Sequence, residues 1–168
     1  VGFGGIGREF VKISKGLFKN IICYDPFVGK EEMKNLQVDK VDFDEIANSS
    51  DFLVILCDLN EKTRGMIDST FLNKMKSSSY LINLSRGPVV NENDLIASLK
   101  QNKISGAGLD VMTNEPIEEN NELLNLKNTI LTPHSLCWTD ECFDSIATEA
   151  ITSILNYFNN KKIINRVN

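Results

Sequence analysis

The chain has 168 residues, a formal net charge of −5 at pH 7 and an ordinary composition, 42% hydrophobic and 24% charged. This length suffices for one domain with a substantial core. The negative charge, without a basic stripe, argues against nucleic acid or an anionic membrane as partner, and the longest apolar run, FLVILC at 52–57, is too short to span a bilayer.

The chain opens on a glycine cluster, VGFGGIG, in which Gly2, Gly4 and Gly7 form the pattern G-x-G-x-x-G. This pattern is typical of a tight turn between a strand and a helix. A strand of usual length needs several residues before Gly2, so we expect the natural protein to begin upstream of Val1.

Apolar runs rich in β-branched residues alternate with helical patterns along the chain. The predicted strands are 21–24, 52–57, 80–84, 105–111 and 128–131. The predicted helices are 7–17, 42–47, 69–75 and 92–100, and a last helix follows Thr139 as its N-cap. This alternation predicts an α/β fold of the Rossmann type, a doubly wound and mostly parallel sheet with helices on both faces, and we expect the last helix to pack on one face.

The glycine cluster and the strand after it together favour dinucleotide binding over an ordinary turn. Glycines at these spacings let the backbone approach a pyrophosphate at the start of a helix. The next strand ends in Asp25, where the fingerprint requires an acid for a ribose diol. A carboxylate there repels a 2′-phosphate, so the cofactor is predicted to be NAD rather than NADP. Taken alone, Asp25 is equally well an ordinary surface acid.

Four polar residues follow predicted strands, at the edge where ligands of open α/β sheets bind. They are Arg86, Asp110, Glu115 and His134, the last being the only histidine in the chain. Three of them have a plain structural alternative: Arg86 as a surface cation, Glu115 as an acid at a helix start and His134 as a structural histidine. Together they fit the reduction of a 2-oxo acid: arginine binds the carboxylate, histidine supplies the proton, glutamate favours the imidazolium, and Asp110 orients the nicotinamide carboxamide.

The four cysteines show neither a C-x-x-C pair nor the spacing of zinc ligands. Reduced thiols in a cytoplasmic protein without a metal site are the simpler interpretation, since no signal-peptide pattern opens the chain.

The motifs VGFGGIGR, NLSRGPVV, GLDVMTNEP and LTPH occur here in an order that resembles the cofactor-binding domain of the D-isomer-specific 2-hydroxyacid dehydrogenases. The resemblance implies an NAD-dependent dehydrogenase for a small 2-hydroxy or 2-oxo acid such as hydroxypyruvate, glyoxylate or 3-phosphoglycerate, with Arg86 binding substrate, Glu115 pairing with the histidine and His134 as the acid/base. It also implies cofactor contacts from Gly5 and Ile6 at the pyrophosphate, from Asp25 at the adenine-side ribose, and from Cys57, Asp58 and Thr63 along the pocket. Leu84 and Ser85 are implied beside the nicotinamide and Asp110 at its carboxamide, and Arg86 and His134 count as cofactor contacts as well.

The resemblance further implies a domain layout, with residues 1–160 as the NAD-binding domain and residues 161–168 as the start of a return to a separate substrate domain. It implies a homodimer as well. The sequence departs from the family pattern at Asp58, where proline is usual, and at Leu136 and Trp138, where small residues follow the histidine. These departures leave the identity of the substrate open.

Two other functions are compatible with the same motifs. One is a regulatory module that senses NAD(H), as in the co-repressors that resemble this family. The other is a cofactor-binding fragment that is catalytically incomplete by itself.

Overall fold

The computed structural model describes residues 1–163. The strands are β1 (Ile22–Cys23), β2 (Asp39–Lys40), β3 (Phe52–Ile55), β4 (Tyr80–Asn83), β5 (Gly106–Leu109) and β6 (Thr129–Leu131). The helices are α1 (Gly5–Ser14), α2 (Lys30–Lys34), α3 (Phe43–Ser49), α4 (Ser69–Leu72), α5 (Glu92–Lys100) and α6 (Asp140–Phe158).

The strands pair in parallel, in the orders β1-β2 and β3-β4-β5-β6. In the larger group Leu53 lies opposite Leu81, which lies opposite Ala107, and Ala107 lies opposite Thr129. Because all four strands run the same way, their carboxyl ends meet at one edge. The Rossmann-type fold is thereby confirmed, with strands slightly shorter than predicted.

Residues Val1 and Gly2 join the two groups of strands. The Gly2 N–H donates to the Tyr24 carbonyl at 3.0 Å, and the Leu56 N–H donates to the Val1 carbonyl at 2.8 Å. The Val1 amino group donates to the Val54 carbonyl at 2.7 Å. The glycine cluster therefore begins between β1 and β3, at the carboxyl ends of both strands.

Two apolar clusters lie under this sheet. The larger one contains the buried sides of β3, β4, β5, α4 and α5, including Leu53, Leu81 and Leu99. The smaller one contains Val11 of α1, Cys23 of β1 and Met33 of α2, together with Phe3 and Val38 from the adjoining loops.

A cavity of about 500 Å³ lies between β1 and β3, and Ile21 and Phe52 are among the residues that line it. Neither Asp25 nor Arg86 lines this cavity. It is therefore separate from the polar residues that follow the strands.

Three helices begin at polar residues that cap their first turn. Asp42, Asp68 and Asn91 each accept a hydrogen bond from a backbone N–H of the first turn of α3, α4 and α5. Such caps satisfy donors that the helix itself leaves unpaired. Two short elements, α2 and β2, were not predicted from the sequence.

The chain divides into two compact units, Val1–Pro133 and His134–Asn168. In the second unit α6 begins where predicted, with the Thr139 hydroxyl accepting from the Cys142 N–H at 3.2 Å. No residue of α6 is buried, so its predicted packing on the sheet is not confirmed. The predicted return segment at 161–168 lies outside the described residues from 164 onward. Within residues 1–163 no helix is long and apolar enough to cross a membrane.

Candidate cofactor and active site

The glycine cluster forms a tight turn into α1. Gly2 has a φ of +93°, and a Cβ there would lie 2.7 Å from the Cys57 nitrogen. A Cβ on Gly7 would lie 2.5 Å from the Gly2 carbonyl oxygen. Side chains at these two positions would push the loop and helix away from the sheet, which explains the outer glycines of the motif.

The middle of the same loop is open. No heavy atom lies within 4 Å of a Cβ built on Gly4 or Gly5, and Ile6 is 70% exposed. Gly4 is the N-cap of α1 and supplies no side-chain hydrogen bond to the helix. The loop therefore presents backbone without side chains at the start of α1, which fits the binding of the NAD pyrophosphate by the first N–H groups of the helix.

Asp25 holds the loop from the end of β1. Its carboxylate accepts from the Phe3 N–H at 2.8 Å, and from the Phe27 and Val28 N–H groups at 2.8 and 3.1 Å. Partial burial by itself raises the pKa of Asp25, but these three donors and the Lys40 charge outweigh it, and the pKa lies below its usual value. Asp25 is therefore charged near neutral pH, as the predicted ribose contact requires.

The segment after β3 lies against the glycine cluster, as the Gly2–Cys57 approach shows. Burial is the largest cause that raises the pKa of the Cys57 thiol, and Asp58 and Asp25 add to it. The thiol is thus neutral rather than a nucleophile. The Thr63 hydroxyl donates to the Asp58 carbonyl at 2.7 Å and accepts from the Asn60 N–H at 2.8 Å, which closes residues 58–63 into a turn.

Arg86 stands on a buried polar support at the end of β4. The Asn83 side-chain oxygen accepts from the Ser85 N–H at 3.1 Å and from its hydroxyl at 3.0 Å, and the Asn83 amide donates to the Arg86 carbonyl at 3.1 Å. The Arg86 guanidinium donates to the Ser85 carbonyl at 2.7 Å and is exposed. Among residues 1–163 no carboxylate pairs with it, so it is available to bind an anion.

Asp110 and Thr132 meet at the ends of β5 and β6. Asp110 is only 4% exposed, and its carboxylate accepts from the Thr132 hydroxyl at 2.5 Å. The Thr132 N–H donates to the Leu109 carbonyl at 3.0 Å, which fixes the pairing. Asp110 thus lies where it was predicted, at the strand edge, and is held there by a residue that was not predicted.

Glu115 lies in the loop that follows β5. Its carboxylate accepts from the Met112 N–H at 3.0 Å. This loop contacts the turn after Arg86, because a Cβ on Gly87 would overlap the Met112 carbonyl group. The Arg86 and Glu115 loops are therefore brought together by direct backbone contact.

His134 begins the second unit, with a φ of +52° and an exposed side chain. Arg86 and Glu115 belong to the first unit. The convergence of these three side chains stays a prediction from the sequence.

Three residues that support the candidate site were not predicted from the sequence. Asn83 and Thr132 organise the residues beside them, and Glu92 on α5 accepts from the Thr113 N–H at 3.1 Å, in the Glu115 loop. Asn83 had a readable signal, since it is a polar residue inside the apolar run YLIN. Thr132 and Glu92 had none, because their partners lie 22 and 21 residues away along the chain.

Comparison with known proteins agrees with this geometry. The family model for the D-isomer specific 2-hydroxyacid dehydrogenase, NAD binding domain, matches residues 1–135. The chain is 34% identical over 168 residues to D-3-phosphoglycerate dehydrogenase of Archaeoglobus fulgidus, covering all of this chain and 32% of that protein. It is 41% identical over 147 residues to glyoxylate reductase of Thermococcus litoralis, covering 88% of this chain and 44% of that protein.

Among solved structures, the fold is similar to a D-isomer specific 2-hydroxyacid dehydrogenase from Lactobacillus delbrueckii ssp. bulgaricus in its NAD complexed form. The TM-score is 0.88 at 27% identity, and the alignment covers 99% of this chain and 54% of that chain. The chain thus spans between about a third and about half of the proteins that it matches.

Proposed function

Because the chain belongs to the D-isomer specific 2-hydroxyacid dehydrogenase family and matches its NAD-binding domain, we propose that it serves an oxidoreductase that interconverts a small D-2-hydroxy acid and its 2-oxo acid. NAD is its cofactor, and when bound it exchanges a hydride with the substrate carbon. Hydroxypyruvate, glyoxylate and 3-phosphoglycerate are the candidate substrates of this class.

The observation that carries the proposal is the state of Arg86. It is an exposed cation on a rigid, buried support, and no carboxylate of the described chain pairs with it. A guanidinium in this state binds a substrate carboxylate bidentately and so fixes the position of the neighbouring carbonyl. It lies one strand away from Asp110, the residue proposed to orient the nicotinamide carboxamide.

Proton transfer is proposed for His134. The imidazole would donate a proton to the oxygen of the 2-oxo group during reduction and accept it back during oxidation. Glu115, at its other nitrogen, would stabilise the charged imidazolium. The contact between the Gly87 and Met112 backbones supports this role, because it holds Glu115 near the substrate arginine.

The proposal includes a domain layout and an assembly. Residues 1–160 form the NAD-binding domain, and residues 161–168 lead to a substrate domain that supplies the remaining contacts. The enzyme is proposed to be a cytoplasmic homodimer. The share of the relatives that the chain spans, and their similarity to it over that share, support the domain layout.

The test is NADH oxidation by the full-length protein with glyoxylate, hydroxypyruvate, pyruvate and 3-phosphohydroxypyruvate. We expect turnover on at least one acid, with kcat reduced at least about a hundredfold in His134→Ala and Glu115→Gln. Glu119→Gln, an exposed acid in the same loop, is the matched control and should keep activity. NADH binding without turnover on all four acids would contradict the reductase assignment for them.

A further inference from the structure

Two acids flank the glycine cluster, one on each side. Asp25 follows β1 and Asp58 follows β3, and Val1–Gly2 lies between these strands. Asp25 contacts the cluster through the Phe3 N–H, and the residue before Asp58 contacts it through the Gly2–Cys57 approach. The charges of both carboxylates help to raise the pKa of the Cys57 thiol. The adenosine side of the loop therefore lies between two negative charges.

The charge of Asp25 is partly compensated. Lys40 on β2 interacts with it electrostatically, and the Lys40 ammonium donates to the Val28 carbonyl at 2.6 Å, in the turn that Asp25 caps. The carboxylate also accepts three backbone N–H groups. An ammonium near this carboxylate favours a phosphate, so Lys40 offsets part of the repulsion that Asp25 exerts on a 2′-phosphate of the ribose.

Asp58 has no such compensation. Its carboxylate accepts from the Asn60 amide at 2.9 Å, which is a neutral donor, and the turn at 58–63 fixes its backbone. In the described chain no lysine or arginine pairs with it. Asp58 is exposed to solvent.

We propose that Asp58 is a second determinant of cofactor choice, which excludes dinucleotides that carry a 2′-phosphate. The inference rests on the proposed function, since it concerns the adenosine end of the same site. Asp25 selects for the ribose diol by accepting hydrogen bonds from it, whereas Asp58 adds negative electrostatic potential that repels a 2′-phosphate on the same ribose. Replacing Asp25 alone then leaves part of the discrimination against NADPH in place.

The test compares the Kd values of NADH and NADPH for the wild-type chain, Asp58→Asn and Glu61→Gln, at low and high salt. The asparagine side chain keeps the size of the aspartate and an acceptor for Asn60. We expect Asp58→Asn to lower the ratio of the NADPH Kd to the NADH Kd by about three- to tenfold at low salt, with a smaller effect at high salt. Glu61→Gln removes the same charge from the same turn and should change neither value.

An unchanged ratio of NADPH to NADH affinity in Asp58→Asn would overturn the inference while leaving NAD binding intact. An equal change in Glu61→Gln would also overturn it, because net charge rather than position would then decide. If the wild-type chain bound neither dinucleotide, both this inference and the proposed function would fail.

Discussion

Replacing Gly4 by alanine should separate cofactor binding from folding. Gly4 has φ −73° and ψ −162°, which alanine adopts without strain, and a Cβ there meets no atom within 4 Å. Lower entropy of the unfolded chain favours alanine by about 0.4–1 kcal/mol, and the weaker N-cap preference of alanine offsets much of this. The free energy of unfolding should therefore change by less than about 1 kcal/mol.

Binding should respond differently. A methyl group at Gly4 occupies the surface that the pyrophosphate must reach to accept from the first N–H groups of α1. Losing one or two hydrogen bonds to a charged group costs about 1.5–3 kcal/mol each, so we expect NADH to bind at least about tenfold more weakly. Gly7→Ala, in contrast, should lower the free energy of unfolding by about 1–3 kcal/mol, because its Cβ would lie 2.5 Å from the Gly2 carbonyl oxygen.

The assay is NADH titration by calorimetry together with urea unfolding of each variant. Gly29→Ala is the matched control, since Gly29 is also an extended N-cap with no atom within 4 Å of its Cβ, at the start of α2. It should leave both quantities nearly unchanged. NADH affinity of Gly4→Ala within about twofold of the wild type would refute the placement of the pyrophosphate on this loop.

Three further variants test the support of the site. Gly87→Ala should destabilise the chain by about 3 kcal/mol or more in urea unfolding, because the methyl would overlap the Met112 backbone; stability equal to that of Gly29→Ala would contradict this. Asn83→Ala should cost about 2–4 kcal/mol, since it removes the acceptor of the buried Ser85 N–H and hydroxyl, whereas a loss under about 1 kcal/mol would show that the Ser85 turn needs no such support. Asp25→Asn should cost about 1–2 kcal/mol at pH 7. Folding lowers the pKa of Asp25, so the difference in unfolding free energy between wild type and Asp25→Asn is fully present above pH 3.8, the ordinary value of the carboxyl group. It should vanish as the pH falls through the lower pKa of the folded state. A difference that stays the same from neutral to strongly acidic pH would contradict the lowered pKa of Asp25.

Local pattern sufficed for the larger elements. The apolar runs of β3, β4 and β5, the bounds of α5 and the cap of α6 follow from consecutive residues, and the structure places all of them where expected. Strand β1 was predicted as part of 21–24, but its partner β2 was not, because β2 has only two residues. Helix α2 has five residues and buries only Met33, so no helical period develops.

The candidate site was predictable wherever a residue follows directly from a strand end. Asp25, Arg86 and Asp110 are of this kind. What the sequence could not show is contact between distant segments, such as the Gly87 backbone against Met112 or the Thr132 hydroxyl on Asp110. These depend on strand register and loop path, which no local pattern encodes.

The junction at Val1–Gly2 has a consequence for motion. Three main-chain hydrogen bonds join the β1 and β3 segments there. The buried Cys23 of β1 and Leu53 of β3 belong to different apolar clusters, while Ile22 and Tyr24 pack against the larger one. We expect the two groups of strands on either side of the junction to unfold locally at different free energies. The amides of β1 and β2, the smaller group, should then exchange with solvent before those of β4. A dinucleotide that touches Asp25 on one side and Ser85 on the other spans the junction, and its binding would slow the opening of the smaller unit.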